Sequence, residues 1–216
     1  MRVVIAALLS ALFIICTSAK VKTFKKKTSV PPVVTVGYLL YEPKAKNGKN
    51  NMWESQFNSS VDEVHEHASQ WIWNELRFRL KLETWNITKV DQELSSELDH
   101  KTKDGKLVNP YTALGYVANN VKRISNPPDI LCLVTKKQLT DYYKDGFGLY
   151  HPLCKVVVPL ILTYDHTNIK ATGKHLAFYI RNTLNITNYK TWYELPPQKR
   201  KQRFDGCQIQ REKGKQ

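Results

Sequence analysis

The sequence predicts one α/β domain built on a central mixed, twisted sheet with flanking helices and a single disulfide. Two observations carry that expectation. β-Branched and aromatic runs alternate along the chain with stretches whose apolar residues recur at helical spacing. Three cysteines remain once an N-terminal leader is set aside, and one of them sits in an apolar run, so a single bridge can form.

The elements follow in order. Val33 to Tyr41 is β-branched and aromatic, bounded by Pro31-Pro32 and Pro43, and predicts the first strand. Lys44 to Asn51 is polar and predicts a loop. Ser60-Val61-Asp62-Glu63 has the form of a capping box, and Val61, Val64, Ala68, Trp71 and Ile72 make one helical stripe behind it. Phe78, Leu80 and Leu82 alternate with charged residues and predict a strand. Glu93 to Leu107 is charged and predicts a loop, with Asp104-Gly105 as its turn. Asn109-Pro110 predicts a helix start, with Leu114, Val117, Val121 and Ile124 on its buried side. Asp129 to Thr135 is the apolar run and predicts a buried strand. Val156 to Leu162 predicts another strand, followed by a helix over about 168–184.

Met1-Arg2, an apolar run from Val3 to Ile15 and the small residues Thr17-Ser18-Ala19 have the form of a secretory signal peptide over 1–19. That apolar run is too short to span a bilayer, and no other stretch approaches spanning length, so no transmembrane segment is predicted. Secretion into an oxidising extracellular space follows as the expectation. Residues 20–216 suffice for one well-packed domain. Sequons occur at Asn58, Asn86 and Asn185, and the leader makes their glycosylation an expectation, firmest for the first two.

The formal net charge is +14, and its placement is uneven. Residues 20–50 hold eight lysines against one acidic residue, and residues 190–216 hold eight basic residues against three acidic ones. The arm over 20–32, with Lys25, Lys26 and Lys27, and the run Lys199, Arg200, Lys201 and Arg203, read as an exposed basic loop, are the candidates for binding an anionic surface. In a secreted chain those surfaces are sulfated glycans, anionic phospholipid or an acidic protein face. The leader directs the chain away from nucleic acid. Solubility alone is the competing account of the basic ends.

Cys16 leaves with the leader. Cys132 lies in the apolar run, where a thiol behaves as a small hydrophobe. Cys154 and Cys207 are then the predicted bridge, closing a long loop worth on the order of 4 kcal/mol in the chain-entropy treatment.

The helix over 168–184 carries Thr172-Gly173-Lys174-His175-Leu176-Ala177-Phe178-Tyr179. A zinc protease helix presents two histidines at i and i+4 with a glutamate as general base between them. The extended form adds a third histidine after a glycine. Aligned on Leu176-Ala177, Lys174, Phe178 and Leu184 stand at the histidine positions and His175 at the glutamate. A register starting at His175 puts Leu176 at the glutamate and Tyr179 at the second ligand. Neither register leaves a site.

The order strand, helix, strand, helix, strand, cysteine-bearing segment, helix resembles the reprolysin-like metzincin catalytic domain. Local motifs agree: Pro128-Asp129-Ile130 with Leu133-Val134-Thr135 resembles the family's buried strand. Leu149-Tyr150-His151-Pro152-Leu153-Cys154 is similar to the loop bearing its first disulfide cysteine, and Phe204-Asp205-Gly206-Cys207 to its closing segment. The resemblance runs from Val33 to Cys207 and is closest to the secreted salivary metalloproteases of ticks. Within them it is similar to a family of hard-tick salivary proteins that keeps the domain without the ligands. It implies a metzincin-like fold whose vestigial cleft holds Lys174, His175, Phe178 and Leu184. No methionine follows Met52, so the family's Met-turn is missing too. The resemblance implies a protein with no catalytic residues, no metal ligands and no cofactor, which binds a host extracellular protein or sulfated glycan. An active zinc endopeptidase with an atypical site is the alternative.

The other histidines make no ligand set by spacing. His65 and His67 point to opposed sides of a helix and read as a solvated face. His151, His166 and His175 fall near the cleft, at spacings that fit no ligand pattern. Asp165-His166 has no nucleophile in a glycine-rich elbow beside it. Tyr142-Tyr143 and Gly146 to Tyr150 make an aromatic, glycine-punctuated loop suited to core packing or to a protein interface.

Overall fold

A computed structural model of the chain describes residues 30–42, 52–100, 102–103, 106–107, 109–136, 143–186 and 188–207. The described residues from Pro31 onward belong to one compact unit. The predicted leader over 1–19, Lys25, Lys26, Lys27 and the predicted loop over 44–51 lie outside the described residues.

The sheet has five strands: β1 (Val33–Tyr41), β2 (Lys81–Lys89), β5 (Ile130–Thr135), β6 (Gly146–Gly148) and β7 (Val158–Thr163). Their order across the sheet is β2-β1-β5-β7-β6. The first four run parallel, and β6 closes one edge antiparallel to β7. The sheet is therefore mixed, as expected. A short antiparallel pair, β3 (Thr102–Lys103) and β4 (Lys106–Leu107), stands apart from it.

Alternation along β1 divides the core in two. Val34, Val36, Tyr38 and Leu40 face one layer, which α1 (Met52–Leu76) and α4 (Ile169–Thr183) cover with Phe57, Val64, Ala68, Ile72, Leu176 and Ile180. Leu39 and Tyr41 face the other, covered by α2 (Gln92–His100) and α3 (Pro110–Val121) through Leu94, Leu98, Leu114 and Val117. With helices on both faces, β5 is buried along its whole length. Cys132 is a buried free thiol within it.

Several boundaries differ from the sequence reading. Helix α1 begins at Met52 rather than at Ser60. Ser60 lies inside the helix, where its hydroxyl donates to Phe57 O at 3.2 Å. The apolar stripe continues upstream through Trp53 and Phe57, so packing overrides the local capping motif. The ladder of β2 begins at Lys81, because Phe78 and Leu80 dip into the core from a linker instead of pairing with β1. The charged stretch expected as a loop folds into α2, β3 and β4. Asp91 caps α2 by accepting from Leu94 N at 2.7 Å, which anchors Leu94 and Leu98 toward the sheet. Gly146–Gly148 is an edge strand and not a loop. The helix start read at Asn109-Pro110 stands, with Asn109 capping α3 through Tyr111 N, and Asn168 caps α4 through Ala171 N.

The Cys154–Cys207 bridge forms across a separation of 53 residues. It ties the C-terminal segment, α5 (Tyr189–Glu194) and α6 (Pro197–Lys201), to the β6–β7 connection.

Helix α4 lies against α1 with a glycine at the crossing. A Cβ added at Gly173 would stand 2.7 Å from Val64 O and 2.7 Å from His67 Cβ. Gly115, on the exposed side of α3, has nothing within 4 Å of its virtual Cβ. The two glycines therefore respond oppositely to alanine. Gly115→Ala raises stability by about 0.5–1 kcal/mol through helix propensity. Gly173→Ala lowers it by about 1–3 kcal/mol, because the two helices must separate. Thermal melts read both, at about 2–4 °C per kcal/mol for a domain of this size.

Candidate functional site

A cavity of about 300 Å³ opens where β5 and β7 end and α4 begins. In an open parallel sheet this is where helix starts and strand ends converge. Its polar lining comes from three places: Lys136 just past β5, Lys144 and Asp145 ahead of β6, and Asp165, His166 and His175 from the β7–α4 turn and the helix itself.

The turn is locally determined. Asp165 accepts from Thr167 N at 2.9 Å and from Thr167 Oγ1 at 2.6 Å. The hydroxyl bond and then the amide bond hold its carboxyl below the usual range. Asp165 N in turn donates to Thr172 Oγ1 at 3.2 Å, fixing the start of α4. His175 lies one turn further on, with Nε2 3.5 Å from Asp145 Oδ2. Asp145 is 60% exposed, so this pair sits in water and contributes little.

Beneath the cavity is a buried aromatic relay. Tyr164 packs edge-on against Phe57 at 5.1 Å, and its hydroxyl lies 2.9 Å from Ser60 Oγ. Phe57 packs the same way against Tyr38, whose hydroxyl meets His65 Nε2 at 2.8 Å. Burial pushes the Tyr38 phenol up, with Cys132 adding to the shift. Burial also lowers His65 to about 4, against a smaller upward pull from Asp62. His65 thus belongs to the core and not to a solvated face. His67, on the other side of the helix, pairs with Glu63 at 3.4 Å.

Of the predicted vestigial cleft, His175 alone lines the cavity. Lys174 and Phe178 stand on the solvent side of α4, and Leu184 is buried at its C-cap. The helix geometry explains the scatter. Positions 174 and 178 share a face, whereas 175 is turned about 100° from 174. Phe178 is occupied by Arg181, whose guanidinium lies 4.5 Å from its ring centroid. His166 joins His175 at the cavity, while His151 is not among its lining. Lys136, Lys144, Asp145 and Thr163 were missed, although residues just beyond parallel strand ends are a readable signal.

These residues do not fit a zinc site. α4 supplies one imidazole, and its i+4 neighbour is Tyr179. Among the described residues, the one group of three histidine, cysteine or acidic side chains with ligand atoms within 4.8 Å is Asp129, Cys154 and Cys207. Its two sulfurs are bonded to each other, so neither is a thiolate ligand. Asp129 serves the sheet: Oδ2 accepts from Thr35 N and from Thr35 Oγ1, each at 2.8 Å.

The basic C-terminal run is helical, contrary to the loop reading, with α6 continuing into a 3-10 turn over Gln202–Phe204. Lys199 and Arg203 are exposed. Arg200 is not available to a ligand in the way expected: its Nη1 donates to Leu76 O at 3.4 Å and Arg77 O at 3.3 Å, and its guanidinium lies over Trp192. Asn58, Asn86 and Asn185 are all exposed. Asn185 has a φ of 52°, the left-handed conformation in which asparagine terminates a helix after glycine. No described helix is long and apolar enough to cross a membrane.

No protein-family model matches the chain, and no curated protein matches it.

The relay predicts an acid limb in stability. His65 titrates near 4 when folded and near 6.5 when unfolded, so the unfolded chain binds the extra proton between those values. Its contribution is complete above about 6.5 and is lost as pH falls toward 4, on the order of 3 kcal/mol in all. Denaturant titrations across that window measure it, and His65→Gln flattens the slope relative to the parent chain.

Proposed function

We propose that the chain is a secreted, catalytically inactive protein of metalloprotease-like fold that acts by binding a host extracellular protein or a sulfated glycan. The observation that carries this reading is the surface of α4. On the side of α4 turned toward the cavity and β6, the i and i+4 positions are His175 and Tyr179, one imidazole where a zinc helix presents a pair, while Lys174 and Phe178 face solvent. The element order from β1 to α4 supports the metzincin-like resemblance once α2 and the β3–β4 pair are taken as an insertion between β2 and α3, and the bridge that closes the domain supports it too.

Binding rather than catalysis also accounts for the cavity beside α4. Two imidazoles and two carboxylates line it, and among the described residues no activated nucleophile and no converging ligand set accompany them. The excess of positive charge at both ends of the chain supplies long-range attraction to an anionic partner. An oxidising compartment is where a bridge of this kind persists.

The test is zinc content of glycosylated protein purified without chelator, with a protein-cleavage assay run alongside. The expected result is far less than one zinc per chain and cleavage no faster than a chelator-treated blank. About one zinc per chain with chelator-sensitive cleavage overturns the reading in favour of an atypical zinc endopeptidase.

A further inference from the structure

Phe78 and Phe204 stack with ring centroids 5.1 Å apart and planes 8° apart. Both rings are buried, while their sequence neighbours Arg77, Arg79 and Arg203 are exposed. The contact therefore turns basic residues from two remote segments toward solvent around one point. Other bonds hold the segments in this alignment. Trp192 Nε1 donates to Leu76 O at 2.9 Å, the Tyr193 hydroxyl donates to Glu75 O, and Arg200 reaches the last carbonyls of α1 from 124 positions away. Lys199 is exposed four residues before Arg203, one turn away.

We propose that Arg77, Arg79, Lys199 and Arg203 form one binding surface for a sulfated glycosaminoglycan. The proposal rests on the reading above that the chain meets an anionic glycan, and it assigns that contact to the folded body instead of the N-terminal arm. Three guanidinium forks suit sulfate oxygens, being weakly hydrated and always charged. Arg79 is held in place over Trp73, 5.4 Å from the ring centroid. The carboxylates at the margin, Glu194 and Asp205, are outnumbered. Lys81 is excluded because it pairs with Glu83 at 3.1 Å. A lipid surface is disfavoured, because the nearby aromatics do not project freely. Trp73 is covered by Arg79, and Tyr193 is bonded to α1 and stacked on Tyr189.

The test uses the full glycosylated chain on immobilised heparin across a salt series, with hyaluronan as the unsulfated control. Arg77 has a φ of 49°, so Arg77→Gly removes the cation while relieving the backbone, and the variant folds. The expected result is that Arg77→Gly with Arg79→Gln weakens heparin binding about tenfold and reduces the salt slope by about one for each cation removed. Arg203→Gln, from the remote segment, does the same to a smaller degree, and thermal melts match the parent. Wild-type affinity in these variants overturns the surface. If neutralising Lys25, Lys26 and Lys27 then releases the chain, the glycan reading stands on the arm. A parent chain that passes through heparin at physiological salt, or that binds only anionic phospholipid vesicles, overturns both.

Discussion

The close approach of α4 to α1 sets the depth and direction of everything around the cavity. At Gly173 the helices meet backbone to backbone, with Val64 O and Ala68 N on the facing side. Any side chain there would push α4 outward and uncover Leu176 and Ile180, which seal the sheet. The rotation of α4 is thereby fixed. With Gly173 facing inward, His175 is turned toward the strand ends and Lys174 toward water. The chemistry that the site presents follows from one absent Cβ.

A second constraint acts at the far end of α1. The helix stops at Leu76, and Arg77 enters the left-handed region without being glycine, a conformation that costs about 1 kcal/mol or more. The last carbonyls of a helix have no partners of their own. Here Trp192, Tyr193 and Arg200 supply them, and Cys207 locks the same segment to Cys154. The C-terminal helices thus act as a cap on α1. This is why Arg200, in the middle of the basic run, is bound to backbone while Lys199 beside it remains exposed.

What was legible in the sequence and what was not separates along local and long-range lines. The buried strand around Cys132, the helix start at Asn109 and the Cys154–Cys207 bridge depend on residue type and nearby spacing, and each is where it was read. The start of α1 was not legible from Ser60 because the decisive residues, Trp53 and Phe57, are held by Glu42, Tyr38 and Tyr164 across the fold. Phe78 and Leu80 alternate as a strand does, yet both are buried, Phe78 against Trp192 and Phe204, instead of pairing with β1. α2 was hidden by charge: only Leu94 and Leu98 in it face the sheet, too few to show a period. At the cavity, His175 was readable from its motif, while Lys136 and Asp145 required knowing which strands end together. His65 was misplaced for the same reason, since its partner Tyr38 lies on β1.

The exposed face of α4 and its buried face answer to different physics. Leu176, Ala177 and Ile180 pack against the sheet and α1, where a change in volume disturbs many contacts at once. Lys174 and Phe178 are exposed, with Phe178 against Arg181 and Tyr179, so their identity is nearly neutral for folding. A helix of this kind keeps its place in the domain whatever stands at those two positions. The fold therefore gives no reason to expect imidazoles there, and only a bound metal would require them. A lysine and an aromatic at these solvent-facing positions leave charge and apolar area on the surface without disturbing the packing beneath.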